Sequence, residues 1–345
     1  MNSKIVEDAE VEEFFSHAQA STFLSFLEEL RVALERYSAN PSIIPPRIVG
    51  NIPSGSTLHM YMPVIDDVYS GVKTLGYNAS SHLGFVGSIN ITDAESGMLY
   101  GTLQAKQITA IRTALASCVG LSSQLDKFED TDVINCTVFG SGLQAFWHIV
   151  CCVSLFSGSG KRFNVTILYR TREMDVKQFE NICAVNESIM QLTFNQVKLS
   201  DNVLKSRAVA DSHVIFGCIP SEAPNLLYRD LADVETKVSH TYISLIGSFK
   251  PLMHECDQAL IEEFQRQKIR ILVDSKEHCL LEAGELIDCD VKEDQLQEIG
   301  HLSRKPLQAI RCGQNNRKIS LCKIVGLSIM DICVGKKLLE LSNSD

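Results

Sequence analysis

The chain is short of the features that mark metal-dependent, secreted or membrane-spanning proteins. Its 12 cysteines form no C-x-x-C pair, and zinc sites are built from such closely spaced ligands, so no metal is expected. A chain of 345 residues is too long to need a disulfide framework, and most of the cysteines lie in apolar runs, where they read as reduced, buried thiols. The nine histidines contain no H-x-x-x-H pair, and no G-x-S-x-G is present, which argues against a serine hydrolase. No apolar run approaches the roughly 20 residues of a membrane span. Met1–Glu13 is acidic and has no basic region followed by an apolar one, so no signal peptide is expected and the cytoplasm is the expected location. Positive charge is in deficit: Lys plus Arg number 32 against 42 Asp plus Glu, a net charge of −10. Neither nucleic acid nor membrane is an expected partner for such a surface.

What is present is the composition of a folded protein, 45% hydrophobic and 21% charged, with a length that fits about two domains. The order of elements falls into two patterns. Apolar positions Phe23, Leu24, Phe26, Leu27, Leu30, Val32 and Leu34 have helical spacing over 22–38. From 57 to 104, short β-rich runs alternate with turn residues such as Asp66-Asp67 and Glu95-Ser96-Gly97, which predicts an antiparallel meander. A helix over 108–121 follows. After Asp132, strands at Val133–Phe139, Asn164–Leu168, Val214–Gly217, Thr241–Leu245 and Ile269–Val273 alternate with helical stretches at 143–156, 174–190 and 257–267, the pattern of a parallel sheet with crossover helices. A last strand, Ile319–Val325, leads to a helix ending near 341.

Val133–Phe139 runs into Gly140-Ser141-Gly142-Leu143-Gln144-Ala145, a strand, glycine turn and helix start that fits G-x-G-x-x-A. The first Gly makes the turn, the second admits a pyrophosphate to the backbone, and the small third residue lets helix and strand pack. The helix N-terminus offers free N–H groups. At the next strand end, the position of the acidic residue that binds a ribose 2′-hydroxyl in NAD sites, the chain reads Leu168-Tyr169-Arg170-Thr171-Arg172. Two guanidinium groups and a hydroxyl suit a 2′-phosphate, so Arg170, Thr171 and Arg172 predict NADPH (NADP) in preference to NADH.

Taken in order, Pro46-Arg47, Met62-Pro63, Gly71-Val72-Lys73-Thr74, Asn78, Asp93–Gly97, Ile108-Thr109, Arg112-Thr113, Gly140–Ala145, Ile246-Gly247, Val273-Asp274-Ser275, Glu282-Ala283-Gly284 and Lys323 with Gly326 resemble the ornithine cyclodeaminase / mu-crystallin family over about Pro41–Lys337. The resemblance implies an α/β fold in which a Rossmann-type parallel sheet domain is inserted into an α+β dimerisation and substrate domain. Here that gives 126–315 as the dinucleotide-binding domain and 1–125 plus 316–345 as the other. It also implies a homodimer formed by joining the sheets of two subunits, and a small-molecule substrate. The Tyr-Arg-Thr-Arg run looks like the mu-crystallin, NADPH-binding branch.

The resemblance further assigns Arg47, Lys73 and Arg112 to the substrate side. A substrate carboxylate needs a fork of donors, and neighbouring positive charge lowers a lysine pKa, so Lys73 can deliver a proton while Arg47 and Arg112 hold the carboxylate. Ser88 and Thr113 match family positions near the cofactor. Three departures stand out. Phe249, after Ser248, occupies the position where cyclodeaminases and alanine dehydrogenases carry an amine-gripping Asp; Ile324 replaces a usual Ser; and Gly217-Cys218-Ile219 lacks a Thr-x-Thr. Phe249 and Ile324 predict a more apolar pocket. The expected function is reduction of a small carboxylate-bearing imine with NADPH. The alternative is a non-catalytic NADPH-binding protein with a hydrophobic ligand site, and amino-acid dehydrogenase or cyclodeaminase activity fits less well.

Overall fold

The computed structural model describes residues 4–52, 55, 57–78, 80–81, 84–180, 182, 192–313 and 316–342. They form two sheets. The smaller has the order β1-β6-β5-β4-β3-β2, from strands Lys4–Val6 (β1), Ile48–Asn51 (β2), Thr57–Ile65 (β3), Ser70–Asn78 (β4), Phe85–Thr92 (β5) and Leu99–Gln104 (β6). β2 to β6 pair antiparallel, as the meander pattern predicts, and β1 adds in parallel to β6.

One face of this sheet is covered by helices. Helices α1 (Asp8–Ser16), α2 (Ala20–Ala39) and α3 (Ala105–Ser122) belong to this part of the chain. The stripe Ile108, Ile111, Leu115 and Val119 is buried, but α3 is buried nearly all round, the mark of a helix inside a core. The C-terminal helix, Ser328–Ser342, lies against the same sheet: a Cβ on Gly71 would meet Ile332 and one on Gly101 would meet Leu339.

The larger sheet has the order β13-β12-β15-β11-β10-β7-β8-β9. Its strands are Val133–Phe139 (β7), Arg162–Tyr169 (β8), Leu192–Lys198 (β9), Val214–Gly217 (β10), His240–Leu245 (β11), Ile271–Val273 (β12), Leu296–Glu298 (β13) and Arg317–Lys323 (β15). All pair in parallel, and Ile310–Cys312 (β14) adds antiparallel to β15. Chain order leaves β7 in one direction to β8 and β9 and in the other to β10 and β11, so a crevice opens at the C-terminal ends of β7 and β10, where such sheets bind ligands. This is the Rossmann-type α/β fold expected from the sequence.

The structure corrects three expectations. β15 sits between β11 and β12, so 317–323 belongs to the larger sheet, not to the terminal segment drawn from 316. Its burial explains the placement: Ile319–Lys323 are buried on both faces, as central parallel strands are. The helix expected over 174–190 starts later, through a 3₁₀ turn at Val176–Gln178; 179, 180 and 182 are helical, and 181 and 183–190 lie outside the described residues. β9, an alternating edge strand, was not foreseen. No helix among the described residues is long and apolar enough to cross a membrane.

Candidate functional site

The phosphate loop has the backbone its sequence requires. Gly140 has φ +114°, in the region that favours glycine, and a Cβ there would come within 3.2 Å of the Cys218 carbonyl. Gly142 is the N-cap of Leu143–Leu155 and faces open space. Ala145 is buried against the sheet, while Leu143 and Gln144 are half-buried in the first turn. The Ser141 hydroxyl donates to the Arg172 carbonyl at 2.6 Å, which ties this loop to the exposed Arg170-Thr171-Arg172 segment at the end of β8. Open glycine backbone, a helix N-terminus and exposed arginines on the adjacent strand end fit a phosphorylated dinucleotide.

The second cluster lies between the smaller sheet and its helices. Lys73 on β4 is 1% exposed. Its Nζ donates to Asp331 Oδ1 at 2.7 Å and to Thr109 Oγ1 at 2.7 Å. Arg112 Nε, one turn along α3 from Thr109, donates to the same Asp331 oxygen at 3.2 Å. Asp331 Oδ2 is buried with no hydrogen-bond partner among the described residues. Burial lowers the Lys73 pKa, Asp331 opposes that, and Arg112 adds to the lowering, leaving it at about 8. Two cations share one carboxylate, so the cluster carries one net positive charge.

Arg47 joins from the other side of a small cavity that it lines with Met62, His278, Gly326 and Ser328. It pairs with Glu282. Gly326, at φ +97°, lies against the Arg112 guanidinium, which a Cβ would approach to 3.1 Å. Asp274 pins this turn by accepting from the Gly326 N–H at 2.7 Å and the Val325 N–H at 3.3 Å. Arg47 and Gly326 thus line one cavity, Gly326 lies against Arg112, and Arg112 shares Asp331 with Lys73.

A third group was not anticipated. Lys323, at the end of β15, is buried with Glu255 and Glu285, 3.0 Å from the latter. Burial works against the Lys323 ammonium, yet the two carboxylates hold its pKa above the ordinary value. Burial raises Glu255 to about 7 against the pull of Lys323. Glu255 lies beside Gly217 and Gly247, where a Cβ would come within 2.7 and 2.9 Å of its Oε1, at the crevice end of β10 and β11. Ser248 is buried with its hydroxyl 3.3 Å from Glu285. The neighbouring Phe249 turns the other way, its ring 5.6 Å from that of Phe85.

Other expected residues stand apart. Ser88 pairs with Thr74 on β4, on the opposite face from Lys73, so it is not brought to Lys73 within the chain. Thr113 Oγ1 donates to the Thr109 carbonyl at 2.7 Å, back along its own helix. Ile324 is packed in the core and does not make the pocket more apolar. Asp331 was missed although its signal was present: a single charge in the apolar run Ser328–Val334, where burial demands a partner.

No family model matches the chain. A Saccharomyces cerevisiae protein described as uncharacterized, YGL159W, is 40% identical over 99% of this chain and 98% of its own length. A Bacillus thuringiensis Delta(1)-pyrroline-2-carboxylate reductase is 23% identical over 90% of this chain and 89% of its own. The Thermococcus litoralis Delta(1)-pyrroline-2-carboxylate reductase, solved with NADH and L-proline, superposes with a TM-score of 0.72 at 18% identity, over 99% of this chain and 98% of that one.

The chain belongs to the ornithine cyclodeaminase / mu-crystallin family.

The likeness to the solved reductase establishes a shared fold. This chain carries the glycine-rich loop, the lysine and arginine cluster and a partly exposed Phe249.

Proposed function

We propose that the protein is an NADPH-dependent reductase of a small carboxylate-bearing imine, ketimine reductase-like in chemistry. The Lys73–Asp331–Arg112 cluster carries this reading: a buried group with one net positive charge and a lysine poised near neutrality supports both anion binding and proton delivery. Arg112 and Arg47 would hold the carboxylate, and Lys73 would place its proton on the imine nitrogen. Asp331 would keep Lys73 and Arg112 in register, with Oδ2 accepting an N–H of the product amine. Gly140–Ala145 would hold the pyrophosphate and Arg170, Thr171 and Arg172 the 2′-phosphate. When bound, the nicotinamide supplies the hydride that reaches the imine carbon. The balance is one hydride to carbon and one proton to nitrogen, converting C=N to CH–NH.

The names of the relatives, reductases of a cyclic imino acid, support the substrate class. The Thermococcus enzyme holds NADH; the two arginines at 170 and 172 support NADPH here. Loss of NADPH absorbance with a panel of cyclic ketimines tests the reaction. A protein that binds NADPH and reduces none of them lacks this activity.

The aromatic contact of Phe249 with Phe85 favours a second reading, a non-catalytic NADPH-binding protein with a hydrophobic ligand site. Replacing Phe249 with Ser or Asp separates the two: activity gained only in the variant supports the binder. The same proposal divides the chain into a dinucleotide-binding unit, now extended to Lys323, and a substrate unit that pairs into a homodimer through its smaller sheet. The exposed edge residues Ile48 and Val49 support that pairing, and sedimentation in solution measures it.

A further inference from the structure

Three aromatic rings meet where the smaller sheet faces the loop after β11. Tyr77 on β4 and Phe85 on β5 are directly paired across the sheet, with ring centroids 4.7 Å apart. Phe249 reaches them from the loop after β11 of the other sheet, its ring edge-on to Phe85 at 5.6 Å. Side chains alternate along a strand, so Lys73, Leu75 and Tyr77 share one face of β4. Across the ladder, Ile89, Gly87 and Phe85 share the same face of β5. The rings therefore stand on the side of the sheet that carries the Lys73–Asp331–Arg112 cluster.

Between the charged and aromatic ends this face of the two strands carries only Leu75 and Gly87. Leu75 is half-buried, and its partner Gly87 has no side chain; a Cβ there would lie 1.8 Å from the Thr74 carbonyl. Four residues of strand separate Lys73 from Tyr77, about 13 Å at ~3.3 Å each. Phe249 is left 36% exposed at the rim, with the Lys250 ammonium 5.4 Å from its ring centre.

We propose that the substrate carries, besides its carboxylate and C=N bond, an arylalkyl arm that lies along Leu75 and Gly87 and ends against Tyr77, Phe85 and Phe249. This rests on the reductase reading and names its substrate class. A carboxylate joined through two or three carbons to a phenyl ring matches the spacing, and edge-to-face contacts with a ring cluster add to simple burial. Phe249 is then a specificity-determining residue.

The test compares two imines formed in place from methylamine, one with 2-oxo-4-phenylbutanoate and one with pyruvate, on the NADPH-loaded protein. The expected result is a kcat/KM at least about tenfold higher for the phenyl imine, with that ratio falling about tenfold in F249S and retained in F249W. A wild-type ratio near one, or a ratio unchanged in F249S, overturns the proposal. If neither imine is reduced, the reductase reading fails, and the aryl site is read by calorimetry with 4-phenylbutanoate and butanoate. Tighter phenylbutanoate binding that is lost in F249S then supports the aryl site. Equal affinities, or a preference that F249S leaves intact, overturn it.

Discussion

Lys73 and Asp331 are 258 positions apart in sequence and 2.7 Å apart in the fold. The contact joins the middle of the meander to the C-terminal helix. It lets a fully buried ammonium persist, because Asp331 supplies the charge that burial would otherwise demand be removed. Arg112, bound to the same oxygen, works in the opposite direction, and the balance puts Lys73 at about 8.

That value sets the alkaline limb of the reaction. Lys73 must carry a proton in order to give one, so kcat/KM is expected to be level below pH 8 and to fall about tenfold per unit above it. Lys73→Met should lower kcat by about 100-fold or more and abolish the limb. A K73M enzyme with the wild-type pH profile would show that another group delivers the proton.

Replacing Asp331 with Asn separates positioning from folding. It removes the charge that supports the Lys73 proton, so the alkaline limb should move to lower pH. It also leaves two buried cations without a counter-charge, at a cost of about 3–5 kcal/mol, read as a lower urea midpoint. Reduced stability with an unmoved limb would confine Asp331 to a structural role.

How much of this was readable beforehand follows the range of the interactions. The phosphate loop is contiguous, and its glycines, strand and helix start announce themselves within about a dozen residues. Lys73, Arg47 and Arg112 lie on three different elements, and only the order of family-like blocks picked them out. Asp331, Glu255 and Glu285 escaped because their meaning lies in partners distant in sequence. Ile324 was misplaced for a related reason: a position next to a buried, ion-paired lysine can face the core, and only the crossover of β15 into the middle of the larger sheet fixes which way it points. Ser88 stands on the other face of the sheet from Lys73, since one residue along β5 exchanges one face for the other.

The cofactor preference is testable on two exposed residues. Arg170 and Arg172 make no part of the core, so R170S/R172S should fold as the wild type does. Loss of charge-assisted contacts to a 2′-phosphate should weaken NADPH binding by about 10–100-fold. NADH lacks that phosphate, and its affinity should change by less than about threefold. Titration of each nucleotide by fluorescence gives both numbers; parallel losses for the two cofactors would move the arginines away from the 2′-phosphate.

His148, on the helix that follows the phosphate loop, makes acid stability a probe of how that helix is held. Its Nδ1 lies 2.7 Å from the Gln144 carbonyl, which accepts a proton-bearing nitrogen, so Nε2 is left to accept from the Ser117 hydroxyl at 3.0 Å. Ser117 in turn accepts from Ser244 Oγ at 2.9 Å, and its carbonyl from Tyr242 Oη at 2.7 Å. The network joins α3, the phosphate-loop helix and β11. Burial lowers the His148 pKa from 6.5 to about 4. Between those values the unfolded chain binds a proton that the native chain refuses, so the contribution of His148 is complete above pH 6.5 and is lost as pH falls toward 4. At pH 5 the loss is about 2 kcal/mol. H148Q cannot titrate, so its stability deficit relative to wild type should shrink by about 2 kcal/mol between pH 7.5 and pH 5. Taking the difference between the two proteins cancels Glu255, whose raised pKa pulls stability the opposite way over the same range. Denaturant midpoints at the two pH values measure the effect. A deficit independent of pH would place the acid sensitivity in His213 or His240, which burial also lowers to about 4, and would leave the helix of the phosphate loop held by packing alone.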